Sequence, residues 1–215
     1  MVSAQKAFSK EPPRRPLTDL SAVVEDFRWR YQDRKLTDQV VTYCRDAPNL
    51  REAIRRAVLA RDANGKHHNH QSKVDLDARR KFGNKIWSRH AEVRRLVRTA
   101  DPAEDWLWSK FDGLHELLDD IKPYGIGPVT VYDVAVRVGA YLGIAPRSVY
   151  MHAGVKQGYK ALYEAMADMD WVLPGSVPRI PLSYFPTPLS ELPADDVEDL
   201  LCTYREVFEG WGRGE

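Results

Sequence analysis

The chain has 215 residues, of which 43% are hydrophobic and 29% are charged, proportions typical of a soluble globular protein that can bury a substantial core. No apolar run is long enough to cross a membrane, and the N-terminus lacks the apolar core of a signal peptide. We therefore predict a cytoplasmic protein with no membrane partner. Cys44 and Cys202 match no metal-binding or redox spacing, and both are predicted to be buried thiols.

The charged residues are unevenly distributed, although the net charge is only +1. Residues 1–100 contain 23 Lys and Arg against 12 Asp and Glu, whereas residues 101–215 contain 9 against 19. A basic half can approach a polyanion such as DNA, while an acidic half can face away from it or receive a protein partner. The simpler alternative is a chance excess of charge on solvated helix faces.

Beyond residue 16, most of the chain has apolar residues at helical spacing. Three prolines and four Lys or Arg within residues 1–16 predict a flexible basic arm. From Leu17 onward the apolar residues recur at helical spacing. Asn49, followed by Glu52 three positions later, is a capping-box pattern that predicts a helix start. Residues 78–97 are predicted to form one basic helix.

A polar segment at residues 65–73 contains three of the six histidines. Within it, His70 and Gln71 are candidate catalytic residues, because an imidazole can act as a general base and both side chains can donate to phosphate. The alternative is a solvated polar loop. No cysteine or carboxylate stands at a metal-ligand spacing, so neither a metal site nor a cofactor is predicted.

Residues 117–139 read as a helix, a tight hairpin and a second helix. Pro123 cannot continue the first helix, and the turn Gly125-Ile126-Gly127 allows another backbone to come close. Pro128 suits the first position of the following helix.

The first N–H groups of that second helix, together with the two glycines, form a concavity that can bind phosphate. The predicted phosphate-binding residues are Lys122, Gly125, Ile126, Gly127, Val129 and Thr130. A helix connection that serves only packing is the alternative.

Asp133 and Arg137 stand four positions apart on the second hairpin helix, and therefore on one face. An i,i+4 ion pair is the structural interpretation. A catalytic role for Asp133 is the functional one, and it is retained as a candidate.

Beyond the hairpin lies Val149-Tyr150-Met151-His152. Tyr150 and His152 are candidate catalytic residues at a predicted helix start. The alternative for both is that they are half-buried packing residues with satisfied polar ends.

Taken together, Gly125-Ile126-Gly127 and the Val-x-x-His sequence at 149–152 resemble the helix-hairpin-helix DNA glycosylases of the endonuclease III type. The resemblance implies an all-α fold, a hairpin that grips duplex DNA by its backbone, and hydrolysis of an N-glycosidic bond. Those enzymes carry Val-Asp-x-His, so Tyr150 occupies the place of their catalytic aspartate. Their bifunctional members carry a Schiff-base lysine where this chain has Val129. The motifs also resemble a bacterial protein family, which implies no particular activity.

No segment shows the sustained alternation typical of strands, so the predicted fold class is all-α. The predicted organisation is an arm at 1–16, a helical domain at 17–170 that contains the hairpin, and a proline-rich segment at 171–215. The last segment is expected to wrap around the body and to end in one helix over 195–208.

Three functions remain open at this point. The first is a DNA glycosylase-like hydrolase for DNA repair without a Schiff-base lysine, the second a non-catalytic DNA-binding module. The third is an assembly factor that uses the acidic C-terminal half to bind a protein.

Overall fold

The computed structural model describes residues 17–32, 39–65, 74–98, 110–166 and 177–211, and these residues are mostly helical, as predicted. The helices are α1 Leu20–Phe27, α2 Gln39–Arg45, α3 Leu50–Leu59, α4 Leu76–Ser88, α5 His90–Arg98, α6 Lys110–Ile121, α7 Pro128–Leu142, α8 Ala153–Ala165, α9 Ala194–Thr203 and α10 Arg205–Trp211. Arg28–Gln32 extends α1 as a π-helical turn, and Leu182–Tyr184 and Leu189–Glu191 form 3-10 turns. The predicted arm at 1–16 and His70 and Gln71 lie outside the described residues.

Side-chain caps explain where three of the helices begin. Asp19, Asn49 and Asp75 each accept a hydrogen bond at 2.9 Å from the backbone N–H three residues later, at the starts of α1, α3 and α4. Such bonds satisfy donors that a helix start leaves without an intrahelical partner. The helix start predicted at Asn49 is confirmed by this geometry.

The described residues pack around two hydrophobic cores. The hairpin core is formed by buried apolar side chains of α2 to α7, together with Ile126 and Tyr150. The terminal core is formed by α1, α8, α9 and α10, with the chain between residues 180 and 192. The two ends of the described chain therefore share one core, and Trp211 Nε1 donates to the carbonyl oxygen of Leu17 at 2.7 Å.

A short antiparallel sheet lies where the two cores meet. Strand β1 (Ser148–Tyr150) pairs with β2 (Arg179–Pro181), with Val149 opposite Ile180. Successive side chains of a strand point to opposite faces, so Val149 enters the terminal core while Tyr150 enters the hairpin core. This sheet was not predicted, because three-residue strands are too short to show an alternating pattern.

Two helices that the sequence predicted as continuous are each divided in the structure. The helix predicted at 78–97 is interrupted at Arg89, and the one predicted at 195–208 is interrupted at Tyr204. The apolar spacing continues across both breaks, which is why periodicity did not reveal them. Cys44 is buried as predicted, but the prediction for Cys202 is wrong, because it lies on an exposed position of α9.

Helices α8 and α9 approach each other closely at a glycine. A Cβ atom placed on Gly158 would lie 1.9 Å from the carbonyl oxygen of Leu201. Only a residue without a side chain allows this approach. The contact fixes α9 against α8, and both helices carry residues of the site described next.

Candidate functional site

The hairpin between α6 and α7 has the tight turn that its sequence predicted. Ile126 N donates to the carbonyl oxygen of Pro123 at 3.2 Å and closes a four-residue turn. Gly125, the third residue of that turn, has φ = 90°, a conformation that favours glycine. Ile126 is buried in the hairpin core and anchors the turn, whereas Gly125 and Gly127 are exposed.

The N-terminus of α7 is open to solvent at this turn. Gly127 is its N-cap residue, so no side chain caps the helix, and Pro128 occupies the first position. The next two backbone N–H groups belong to Val129, which is exposed, and Thr130, whose side chain is buried. No atom lies within 4 Å of a Cβ placed on Gly127. The opening can therefore admit an anion to the positive end of a 15-residue helix.

Two exposed lysines lie on the side of α4 that contacts the hairpin. A Cβ on Gly125 would contact Ala78 Cβ of α4 at 3.8 Å. Lys81 and Lys85 follow Ala78 on the same side of α4, are exposed, and make no ion pair with a described residue. Lys122 also lies next to the hairpin, but it forms an ion pair with Asp119.

A second set of polar side chains lies where the two cores meet, and we call it the polar junction. Its members come from α6, α7, α9 and both strands, together with the N-cap of α8. They are Asp112, His115, Tyr132, Tyr150, His152, Arg179 and Glu198.

One half of the polar junction is organised around Asp112, which is almost completely buried. The Tyr150 hydroxyl donates to Asp112 Oδ1 at 2.6 Å. Arg179 Nε lies 3.8 Å from the same oxygen, and its NH1 donates to Glu116 at 3.1 Å. His115 packs against the Tyr150 ring, with 4.3 Å between ring centroids.

The other half pairs His152 with Glu198. The Nε2 atom of His152 contacts Glu198 Oε1, and both side chains are about nine-tenths buried. Tyr132 links the two halves, since its ring centroid lies 5.2 Å from that of Tyr150 and 6.2 Å from that of His152. A carboxylate that holds an imidazole in one orientation is a recurring arrangement for a general base.

Burial determines the protonation of three members of the junction. It raises the pKa of Tyr150, and the hydrogen bond to Asp112 adds to the effect. Burial and then the charge of Glu198 raise the pKa of Tyr132, whose hydroxyl forms no hydrogen bond of good geometry with a described residue. Burial lowers the pKa of His115 from 6.5 to about 4. Near neutral pH both tyrosines are therefore protonated and His115 is neutral.

The structure thus brings together two of the catalytic candidates, Tyr150 and His152, at one junction. Asp133 is placed by a different contact: it lies 3.6 Å from Arg137 NH2, and Arg137 NH1 donates to the carbonyl oxygen of Ala57 at 3.4 Å. This geometry agrees with the i,i+4 ion pair of the structural interpretation. Within the described residues, no three His, Cys, Asp or Glu side chains are grouped as a metal site would require.

Several junction residues were not predicted from the sequence, although two of them left a signal. His115 stands four positions after Phe111, within the apolar stripe of α6, and Glu198 stands four positions after Ala194, within that of α9. A polar residue on a buried stripe is unusual unless it has a partner. Arg179 left no such signal.

Comparisons of the chain with models of protein families, with curated proteins and with solved structures found no match. None of the helices in the described ranges is long and apolar enough to cross a membrane.

Proposed function

We propose that this protein binds the backbone of duplex DNA through the hairpin at Gly125-Ile126-Gly127. The observation that carries the proposal is the uncapped N-terminus of α7, which is open at Gly127. A phosphate placed there would accept hydrogen bonds from backbone N–H groups and be favoured by the helix dipole. Such contacts involve no base, so affinity should be largely independent of sequence.

The basic side of α4 supports the same proposal. Lys81 and Lys85 can add positive charge for phosphates that neighbour the one held by the hairpin. Binding that depends on such contacts releases counterions, so affinity should fall steeply with salt. The resemblance of the hairpin sequence to that of the DNA glycosylases also favours this proposal.

The sharpest test changes the chemistry at the opening without disturbing the fold. Gly127 has φ = −87° and ψ = 168° with free space around it, so Gly127→Asp should be accommodated. Aspartate is a favoured N-cap and should stabilise α7 relative to glycine by about a few tenths of a kcal/mol. Its carboxylate would nevertheless fill the opening and repel phosphate. We expect duplex affinity to fall at least about tenfold, which corresponds to about 1.4 kcal/mol.

Gly127→Asn is the matched neutral control, since it has nearly the same size and should reduce affinity less. Binding is measured by fluorescence anisotropy on two duplexes of unrelated sequence at two salt concentrations. Unchanged affinity in a stably folded Gly127→Asp protein would show that the hairpin does not contact DNA. A duplex affinity that is high and does not change with salt concentration would contradict the proposal as well.

The polar junction favours a second candidate function, a glycosylase-like hydrolase. The observation behind it is the buried His152–Glu198 pair beside Tyr132 and Tyr150. In this proposal His152 accepts a proton from water while the water oxygen bonds to C1′ of the sugar. The C1′–N bond breaks, and the base leaves with the bonding electrons and takes up the proton that His152 accepted. Glu198 orients the imidazole, and the protonated Tyr150 positions Asp112.

This candidate is tested by base release from duplexes that contain damaged or deaminated bases. His152→Ala should abolish release, and His90→Ala, which removes a histidine outside the junction, should leave it unchanged. Because Val129 stands where a Schiff-base lysine would be needed, borohydride should trap no adduct within residues 125–135. An adduct mapped there would refute the mechanism. DNA binding without release of any base would leave the binding module as the function.

The joint role predicted for His70 and His152 stays a prediction, since residues 66–73 lie outside the described ranges. A double-mutant cycle of His70→Ala and His152→Ala measures it, and strong non-additivity would indicate one shared site. The protein partner predicted for the acidic half also stays a prediction. Two of the acidic side chains on α9, Asp196 and Glu198, are buried and do not contribute to an exposed acidic surface.

A further inference from the structure

A groove of about 650 Å³ runs between α3 and α4. It forms because the two helices meet closely at its floor, where a Cβ on Gly83 would lie 3.1 Å from Val58 Cγ2. Above this contact the helices are flanked by long side chains. The groove is lined by Arg51, Arg55, Arg61, Arg80, Asn84 and Trp87, among others.

The charge of the groove is strongly positive. Its lining includes four arginines and a single carboxylate, that of Glu52. Glu52 accepts from Arg55 at 2.7 Å and from Arg56 at 2.9 Å. Hydrogen bonds from Arg55 in particular lower its pKa to about 2. Glu52 is thus satisfied by Arg55 and Arg56 of its own helix, and the groove lining keeps an excess of positive charge.

Two of the groove's arginines, Arg51 and Arg80, are exposed and available to a ligand. Arg51 contacts no carboxylate among the described residues, and its guanidinium carbon lies 5.4 Å from the centroid of the Trp87 ring. The other stacking partner of Trp87 is His90, with ring centroids 4.5 Å apart. Arg80 has only an exposed contact of 3.6 Å with Asp77, a pair that contributes little in water. Both guanidiniums can therefore turn towards a bound anion at small cost.

The groove lies on the side of α4 opposite the hairpin. At 100° per residue, Arg80, Gly83, Asn84 and Trp87 all stand between 140° and 240° from Ala78, the residue beneath Gly125. A phosphate held at Gly127 therefore cannot occupy the groove as well. Within the described residues, cationic side chains therefore lie on two opposite sides of α4.

We infer that the groove between α3 and α4 binds the sugar-phosphate backbone of a single strand of nucleic acid. Arg51 stands on one wall of the groove, and Arg80 and Asn84 stand one helical turn apart on the other. Guanidiniums on both walls suit successive phosphates of one strand, since those of Arg51 and Arg80 can form paired hydrogen bonds to phosphate. A cationic groove with an aromatic side chain is the usual form of a site that binds single strands without reading sequence.

The test uses a fluorescently labelled oligothymidine of twelve residues, which forms no duplex, and the double variant Arg51→Gln/Arg80→Gln. Both positions are exposed, so the fold should be retained, and circular dichroism checks this. We expect affinity for the single strand to fall about tenfold or more. The slope of log K against log salt should decrease by about 1.4, the value for two lost phosphate contacts on a single strand.

The control variant Arg94→Gln/Lys160→Gln changes the net charge by the same amount at exposed positions outside the groove. Equal losses in the two double variants would show a general charge effect and overturn the inference. Absence of oligothymidine binding at low salt would also overturn it. Competition by thymidine monophosphate as effective as that by the oligomer would instead make the groove a small-ligand site and refute the assignment to a strand.

The inference can fail independently of the proposed function. Gly127→Asp should weaken duplex binding and leave oligothymidine binding unchanged. Arg51→Gln/Arg80→Gln should weaken oligothymidine binding and leave duplex binding unchanged. Loss of both kinds of binding in both variants would mean that the two surfaces are not separate.

Discussion

The closest approach between helices next to the polar junction is made at Gly158, and replacing this residue with alanine should disrupt it. The new Cβ would lie 1.9 Å from the carbonyl oxygen of Leu201 and 2.6 Å from its carbonyl carbon. Ordinary van der Waals contact begins near 3.4 Å. Since the obstructing atoms belong to the backbone of α9, no rotation of a side chain can relieve the overlap, and α9 must move away from α8 by about 1.5 Å.

The expected cost follows from two opposing effects. Alanine in a helix interior is favoured over glycine by about 1 kcal/mol. Overpacking of a well-packed core typically costs about 1–3 kcal/mol, and occasionally more. An overlap with backbone belongs at the upper end of that range, so Gly158→Ala should lower the free energy of unfolding by about 2 kcal/mol.

Two other glycines provide matched controls for this substitution. A Cβ on Gly154, one turn earlier in α8, would lie 2.6 Å from Cys202 Sγ, a side-chain atom that can rotate away. A Cβ on Gly210 in α10 has no neighbour within 4 Å. Gly154→Ala should therefore change stability by less than about 1 kcal/mol, and Gly210→Ala should be neutral or stabilising by up to the same amount.

The free energies of unfolding are measured by urea titration, with tryptophan fluorescence and circular dichroism as the two signals. The displacement should also separate Glu198 on α9 from His152 at the start of α8. Any base release by the protein should therefore fall in Gly158→Ala more than in Gly210→Ala. Equal stability of these two variants would refute the close approach of α8 and α9.

Three further predictions concern the junction and the hairpin. Tyr150→Phe should cost about 1–3 kcal/mol of unfolding free energy, because buried Asp112 loses a hydrogen bond, whereas Tyr141→Phe, at a half-buried tyrosine, should cost less. Wild type should lose stability relative to His115→Gln as the pH falls from 6.5 towards 4. In this range His115 becomes protonated in the unfolded chain, whereas the buried imidazole of the folded protein stays neutral. The loss should be about 1–2 kcal/mol once solvent screening is allowed for. Gly125→Ala should cost about 1–2 kcal/mol, because alanine at φ = 90° is strained.

Each of these predictions has a result that would contradict it. Equal effects of the two Tyr→Phe changes in urea titrations would mean that the bond to Asp112 contributes nothing. For His115, urea titrations at pH 7, 5.5 and 4.5 should show the stability difference changing continuously, and a constant difference would exclude a depressed pKa. A Gly125→Ala protein as stable as wild type would exclude the strained turn.

The amino-acid sequence by itself determined the helical class and most local features of the hairpin. Helical spacing, capping residues and prolines act over three or four positions, so they can be read directly from the chain. Gly125 and Pro128 have the roles that their chemistry predicts, at a positive φ and at the first position of α7.

Only the tertiary structure decided which polar residues meet. Tyr150 contacts Asp112 across 38 positions, and His152 contacts Glu198 across 46. Neither pairing follows from local spacing, because each depends on the way α6, α8 and α9 pack. Asp133, by contrast, meets Arg137 on its own helix, a contact that the local spacing predicted.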